Sequence, residues 1–526
     1  MKALLMHRDR DFDVDGDLPW NEHALTQDLE LEVLCRAMSN GDPFLFDIAR
    51  RALLSSVSAD VATVLYRQGI LKDCQRHPGV VRELYGIAVE AIERARKRSF
   101  GIFSHFPSTI LHESIELLQA FIELLRRLRA IAEAQAAGCQ SEGLRALFAM
   151  FESELADDYL ARIETHLKEL KFRGGVLISA ELGHGNQGVN YVLRKAGGKP
   201  GWVKRLLGRG PPSYTFYLAD GDEAGVRTLS ELRDRGINLV ANAVAQSADH
   251  ITSFFEMLRA ELAFYIGCLN LEGVLASKGA RTCLPRPEPA GERKLRFHGL
   301  CDVCLALSMK EAVVSNAAQL DGKSIAIVTG ANQGGKSSFL RSVGLAQLMM
   351  QSGMFVGAQS FTGELCTALF THYRREEDAT MKSGKLDEEL ARMSEIADHL
   401  VPNAMLLCNE SLAATNEREG SEIARQIISA MLERRVKVFF VTHLYEFAHG
   451  LFEKGMESTV FLRAERQHDG RRTFRMVEGE PLETSYGRDL YEKVFGVEVA
   501  GGEPAQGPRS LRAGAADEPD LRNDET

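Results

Sequence analysis

The run Gly330, Ala331, Asn332, Gln333, Gly334, Gly335, Lys336, Ser337 constrains this chain more than any other segment. It starts where an apolar β-type run, Ile325 to Val328, stops. It ends where a helical pattern of Phe339, Val343, Ala346 and Met350 begins. That is the spacing and the context of a P-loop. Glycines let the backbone wrap closely enough for successive N–H groups to point at phosphate oxygens, and the helix start adds its positive dipole end. Ser338 extends the same helix start. In such a loop Lys336 neutralises the β and γ phosphates and the Ser337 hydroxyl ligates magnesium, so ATP and Mg2+ are the expected ligands.

A phosphate loop between a strand and a helix implies an α/β layered fold, and the chain alternates short apolar runs with helical ones from about Leu295 to Gly496. The order predicts a mainly parallel sheet covered by helices. Its strands are expected at Ile325 to Val328, Met405 to Cys408 and Val438 to Val441. A hairpin should follow, in which His468-Asp469-Gly470 turns Val460 to Leu462 back onto Thr473 to Met476. The second strand ends in Asn409-Glu410, where a P-loop ATPase places a magnesium-holding acid and a base that orients water. Glu410 suits the second role, and Asn409 occupies the metal position without a charge. The third strand ends in Thr442-His443, and a histidine there can sense the γ-phosphate or the attacking water. The plainer readings are a solvated strand-end acid and a histidine that caps the sheet.

The residues before this half differ in character. From about Leu29 to Leu170 the pattern is helical, as in Leu111, Ile115, Leu118, Ile122, Leu125 and Leu128. Between Gly174 and Asp249, β-type runs at Val176 to Ala180 and Tyr214 to Leu218 flank a glycine- and proline-broken stretch, which reads as a β-rich insertion. Helical periodicity resumes at Ile251 to Leu275. Pro285, Pro287 and Pro289 then mark a linker. With 526 residues the chain is long enough for several domains. The expected parts are a helical region at 1–173, the insertion at 174–249, a second helical piece and linker at 250–290, the ATPase domain at 291–500 and a disordered tail at 501–526.

Charge decides what kind of nucleic-acid contact is open to such a chain. The net charge of −10 rules out a globally positive surface, so any DNA contact must use a local patch. One candidate is Arg194, Lys195, Lys199, Lys204, Arg205 and Arg209, a stretch without acids that contains Trp202 and adjoins Tyr191. Its cations can meet phosphates and its aromatics can stack on bases, although a solvated loop has the same composition. No uncharged apolar run reaches membrane-spanning length, and nine scattered cysteines fit reduced thiols, so a cytoplasmic protein without membrane contact is expected. Gly183-His-Gly-Asn-Gln-Gly188 is read as a turn between strands and not as a dinucleotide site, and Cys301 and Cys304 as packed thiols. Phe121-Ile-Glu123 and Phe254-Phe-Glu256 are read as core pieces of helices.

Taken together, these residues resemble the MutS family, a branch of the ABC ATPases. Thr329 to Ser338 is similar to the family's TGPNMGGKST, and Phe440 to Phe447 resembles its FATHYFEL. Asn409-Glu410 falls on its Asp-Glu, Ala414 to Gly420 on its signature segment, Val313 to Asn316 on its Phe-Val-Pro-Asn, and Ser485-Tyr-Gly487 on a late segment of its ATPase domain. The resemblance implies an ABC-type ATPase domain preceded by a mainly helical lever and core domain with a small clamp-like insertion. It also implies a homodimer in which the loop of one subunit faces Asn416, Glu419 and Gly420 of the other, and a DNA-bound role in mismatch repair or related repair and recombination. Glu410 and His443 would then be catalytic, and Val313 and Asn316 would line the adenine site. Asn409 replaces an aspartate and Val313 an aromatic. The first change points to slow hydrolysis, or to an ATP-binding switch with little turnover, and the second to weak adenine selectivity. A kinase or a transporter subunit fits the signature segment and the Thr442-His443 pair less well.

Overall fold

The computed structural model describes residues 1–99, 106–195, 214–375, 384–467 and 472–481. Apolar residues at helical spacing fold the first third into α1 (Glu22–Asp28), α2 (Leu31–Ser39), α3 (Pro43–Ser55), α4 (Val61–Arg76), α5 (Pro78–Ser99), α6 (Pro107–Gln135), α7 (Glu142–Glu154) and α8 (Asp157–Glu169). Starts are set locally. Asp42 accepts from Phe44 N and Leu45 N with proline at the first turn of α3, and Asp60 and Ser141 cap α4 and α7 in the same way. The predicted stripe from Leu111 to Leu128 is the buried face of α6.

The next region departs from the expected β-rich insertion. β1 (Leu177–Leu182) and β2 (Gly188–Arg194) form one antiparallel hairpin, and Gly183 to Gly188 is its turn, as the glycine pattern predicts. Tyr214 to Leu218, expected as a strand, is not one. Tyr214, Phe216 and Tyr217 are 80%, 91% and 91% exposed, with no strand among the described residues paired to them. The helix expected to resume at Ile251 is α9 (Glu223–Ser277), a single 55-residue helix capped by Asp222, so its first turns occupy much of the expected insertion. Its N-terminal half buries few positions, so no apolar stripe reveals it. Gly236 lets the hairpin lie against α9, because a Cβ there would collide with the Ile178 side chain.

The proline-rich stretch at 285–289 is also more than a linker. It contains β3 (Arg286–Glu288), the edge of a four-stranded sheet ordered β3, β7 (Ser360–Glu364), β4 (Leu295–Leu300), β5 (Asn316–Gln319). An edge strand tolerates Pro287 because the missing N–H faces no partner. Between these strands lie α10 (Val303–Ser308), β6 (Ile325–Thr329) and α11 (Lys336–Gln351). The remaining elements are β8 (Leu369–Tyr373), α12 (Lys385–Asp398), β9 (Met405–Asn409), α13 (Glu417–Glu433), β10 (Lys437–Val441), α14 (Tyr445–Glu453), β11 (Thr459–Arg466) and β12 (Arg472–Glu478).

The main sheet has the order β12, β11, β6, β10, β9, β8. β11, β6, β10, β9 and β8 run parallel and β12 runs antiparallel at the edge; this contains the expected strands and hairpin and adds β8, which is not among the expected strands. The hairpin turn at 468–470 lies outside the described residues. Alternate strand residues point to opposite faces. Ile325, Ile327, Leu406, Cys408, Val438 and Phe440 meet α12, α13 and α14. Ala326, Val328, Met405, Leu407, Phe439 and Val441 meet α11 and share one core with the helical region. That explains why α11 is buried on nearly every side.

Polar contacts fasten the N-terminal segment to the helical region, and one of them reaches the end of α11. Glu261 of α9, with no exposed surface, accepts from Leu5 N and from Phe12 N (2.9 Å), and burial lifts its carboxyl to about 7. Tyr265 donates to Leu5 O and Tyr66 to Leu4 O, both at 2.6 Å. Buried Arg67 donates to Met6 O (2.7 Å), Ser56 Oγ (2.7 Å) and Ser352 O (3.3 Å), the last just beyond the end of α11. All nine cysteines are free, eight of them buried and Cys283 half-buried, and burial pushes every thiol up. Cys304 packs against Leu29 O and Glu30 O. Phe121 and Phe255 meet in the helical core, 5.4 Å between ring centroids. No helix among the described residues is long and apolar enough to cross a membrane.

Candidate nucleotide site

The parallel strands end at one edge of the sheet, and the loop between β6 and α11 sits there. Gly330 and Gly335 have φ of +114° and +91°, which only glycine adopts without strain, and Gln333 joins them at +58°. The loop is also closely covered. A Cβ on Gly330 would stand 2.8 Å from Ala464 N, and one on Gly334 would stand 2.8 Å from Ala464 Cβ. β11 therefore roofs the loop. Arg472 of β12 donates to Gln333 Oε1 at 2.8 Å.

Lys336 opens α11 and folds back over the loop, donating to Gly330 O (2.9 Å) and Ala331 O (3.0 Å). Burial lowers its pKa to about 8, because a desolvated ammonium facing carbonyls lacks a full counter-charge. An anion arriving there favours the charged form further. Ser337 Oγ donates to Asn409 Oδ1 at 3.0 Å, which joins the loop to the end of β9. These two oxygens are hard, neutral donors of the type magnesium accepts, and neither brings a negative charge.

Glu410 follows Asn409 with φ +53°, and its carboxylate accepts from His443 Nε2 at 3.0 Å. That hydrogen bond is the main cause holding the Glu410 carboxyl below the ordinary range. His443 Nε2 also lies 3.4 Å from Lys336 Nζ. Arg374 Nη1 stands 3.9 Å from Glu410 Oε2 on a largely solvated side chain, too loose to add much. Lys336, Ser337, Asn409, Glu410 and His443 thus converge from three strand ends.

Beside the loop is a cavity of about 340 Å³ lined by Val313, Asn316, Gly335, Ser338, Phe339 and Phe474. Asn316 is buried and its Oδ1 accepts from Met476 N at 2.8 Å, so it fastens β12 to the cavity wall. Sequence patterns do not single out Phe474. It lies in the expected β-hairpin, but only the register of β12 against β11 and its own φ of +58° bring its backbone within 3.4 Å of a Cβ on Gly335. A larger cavity of about 750 Å³ lies along the N-terminal segment, where Arg8, Arg10, Arg51 and Arg67 alternate with Asp13 and Asp60. Mixed charges at such spacing give no preference for an anion.

The other candidates stand apart from this cluster. Asn416 caps α13 by accepting from Glu419 N at 3.0 Å and also donates to the Glu419 carboxylate, while a Cβ on Gly420 would meet Leu412 O at 2.7 Å. Within one chain their visible work is to start a helix. Lys195 pairs with Glu169 at 3.4 Å on an exposed surface. Lys204, Arg205, Arg209 and Trp202 lie outside the described residues, as do Ser485 to Gly487.

Known proteins resemble both the helical region and the region that carries this site. Residues 59–278 match the MutS2 N-terminal domain and residues 326–499 match MutS domain V. A DNA mismatch repair protein MutS from Syntrophomonas wolfei is 30% identical over 190 residues, 35% of this chain and 22% of that protein. The MutS protein homolog 4 of Mus musculus is 24% identical over 240 residues, 45% of this chain and 24% of its own length. The MutS of Streptococcus pneumoniae is 26% identical over 264 residues, 49% of this chain and 31% of its own. The matches span about a quarter of these curated relatives. With matches to both the helical half and the sheet that carries the site, the chain belongs to the MutS family.

Proposed function

We propose that this chain is a P-loop ATPase of the ABC type that binds ATP and Mg2+ in the 330–337 loop and acts on DNA as an ATP-controlled dimeric clamp in mismatch repair or related DNA repair. The carrying observation is the convergence of Lys336, Ser337, Asn409, Glu410 and His443 at the edge of one parallel sheet. Lys336 exchanges its loop carbonyls for the β and γ phosphates, and the loop N–H groups bind the same oxygens. Ser337 and Asn409 would hold the magnesium, which would neutralise phosphate charge. Glu410 takes the water's proton, and His443 fixes the direction of its carboxylate. Phe474 supplies an aromatic face for adenine where Val313 does not.

The DNA and dimer parts of this reading rest on the family and on the relatives' names. The hairpin, the first half of α9 and the basic stretch with Lys195, Lys204, Arg205, Arg209 and Trp202 would grip the duplex. Asn416, Glu419 and Gly420 would close over the nucleotide of a second copy, in a cytoplasmic protein. The neutral Asn409 favours slow turnover, and at its limit an ATP-binding switch.

Two variants test the site. Lys336→Ala should lower ATP affinity about a hundredfold, the worth of a buried charge-assisted contact. Glu410→Gln should retain ATP binding and stop turnover. Parental affinity in folded Lys336→Ala protein rejects the loop, and parental turnover in Glu410→Gln rejects that residue as the base. A parent that binds ATP without hydrolysing it leaves the switch.

A further inference from the structure

Glu410 is held by more than His443. The turn that carries it contains two non-glycine residues in the left-handed region, Glu410 at φ +53° and Leu412 at +63°. Such a conformation persists only where the surroundings over-determine it. Here the restraint comes from a buried histidine that the site described above does not use.

β8 pairs with β9 so that His372 lies opposite Cys408, directly before Asn409 and Glu410. Its side chain has no exposed surface. One ring nitrogen, Nε2, is 3.0 Å from the carbonyl oxygen of Glu389 in α12, and the other, Nδ1, is 2.7 Å from Ser411 Oγ. A carbonyl only accepts, so Nε2 carries the proton and, in the neutral ring, Nδ1 accepts from the Ser411 hydroxyl. That hydroxyl also lies 2.7 Å from His372 O, and its single proton serves one of these two acceptors, Nδ1 or His372 O, at a time, so Ser411 faces both the ring and the backbone of one residue. The Glu389 carboxyl is raised by burial, and the Leu412 backbone of the same turn works in the opposite direction. Arg392, one turn further along α12, donates to Tyr373 O at 3.0 Å. Glu410 N itself donates to Val441 O at 2.9 Å.

We propose that His372 is a positioning residue for Glu410, linking α12 through Ser411 to the strained turn that aims the Glu410 carboxylate. The inference rests on the reading of Glu410 as the base. The ring spans the gap between α12 and the turn, with Glu389 O against one nitrogen and the Ser411 hydroxyl against the other. A shift of α12 is thereby carried to Glu410 without passing through the 330–337 loop. ATP binding and ATP turnover are then separately sensitive: the first to Lys336 and the second to His372.

The test compares full-chain parent, His372→Ala, His372→Gln, Ser411→Ala and the double variant His372→Ala/Ser411→Ala in ATP affinity, turnover and amide hydrogen exchange. In His372→Ala, kcat should fall about thirtyfold, as expected for a reacting group misplaced by a fraction of an ångström, while ATP affinity moves less than about twofold. Exchange should rise in peptides covering 409–413 and stay parental at 330–338. His372→Gln, which keeps a donor for Glu389 O, should recover part of the loss. Ser411→Ala should show the same pattern more weakly, and the double variant should lose no more than His372→Ala, because the two act as one unit. Parental kcat in His372→Ala overturns the proposal. So do equal losses of kcat and affinity with exchange raised across the whole sheet, which mark a packing role. If the parent itself lacks turnover, the ATPase reading fails, and exchange at 409–413 alone decides the positioning role. If His372→Ala does not fold, Ser411→Ala, which removes one hydroxyl, decides between the same two outcomes.

Discussion

The two ends of α9 are one helix in two different environments. Toward its C-terminus Phe255, Leu258, Glu261, Leu262, Phe264 and Tyr265 have no exposed surface, packed among α5, α6 and the N-terminal segment. Toward its N-terminus Val226, Leu229 and Leu239 are 53%, 58% and 78% exposed, and the hairpin is the neighbouring element. Tertiary packing fixes the first end, and helix propagation from it supports the second. The difference teaches that a helix of this length is specified by its buried end, and that its other end presents surface the described residues leave uncovered.

The largest expected effect tests the buried end. Leu258→Ala should cost about 3 kcal/mol of unfolding free energy in urea titrations, the transfer and cavity terms for a buried leucine. A cost below about 1 kcal/mol would mean that this end is not core.

Glu261 sharpens the same point through pH. Its folded carboxyl is raised to about 7 from an ordinary 4.5, mainly by burial, so the folded chain binds this proton more tightly than the unfolded chain. The associated stability is fully present below the unfolded value and is lost as pH rises through about 7. Parent and Glu261→Gln should therefore diverge by about 2 kcal/mol between about pH 5 and about pH 8, with the parent losing stability as pH rises. Stability curves that stay parallel over that range would show that the carboxyl titrates normally.

Two further effects are smaller. Replacing Lys204, Arg205 and Arg209 together with alanine should lower the salt dependence of DNA affinity by about three units, roughly one per lost phosphate contact, and leave ATP affinity intact. An unchanged slope would leave that stretch a solvated surface. Smallest of all, Leu239→Ala should change stability by no more than about 0.5 kcal/mol. A cost near that of Leu258→Ala would erase the distinction between the two ends.

The same contrast explains what the sequence makes legible. The loop at 330–337, the strands around it and the stripe of α6 follow local rules of period, glycine and strand end, and each is readable. The start of α9 is not, because Gly236, Ile237, Ala241 and Ala248 are too sparse a set of buried positions to reveal a period. Tyr214 to Leu218 has strand composition without a partner, and pairing is a property of two segments. β3 is hidden by its prolines, which an edge strand accepts. Phe474 and His372 become visible only through register, which sets one beside Gly335 and the other beside Ser411. Local motifs name the chemistry, whereas the residues that orient it come from elements far apart in the chain.

The nine free cysteines have a practical consequence. Eight are buried, the ninth is half-buried, and burial makes every thiol a poorer acid, so thiolate, the form that reacts, is scarce at neutral pH. A cysteine introduced at an exposed position such as Leu239 would react with a maleimide well ahead of all nine. Fluorophores or spin labels can thus be attached to the outer part of the long helix without first removing a native thiol, and the distance between two such labels can be followed as nucleotide is added.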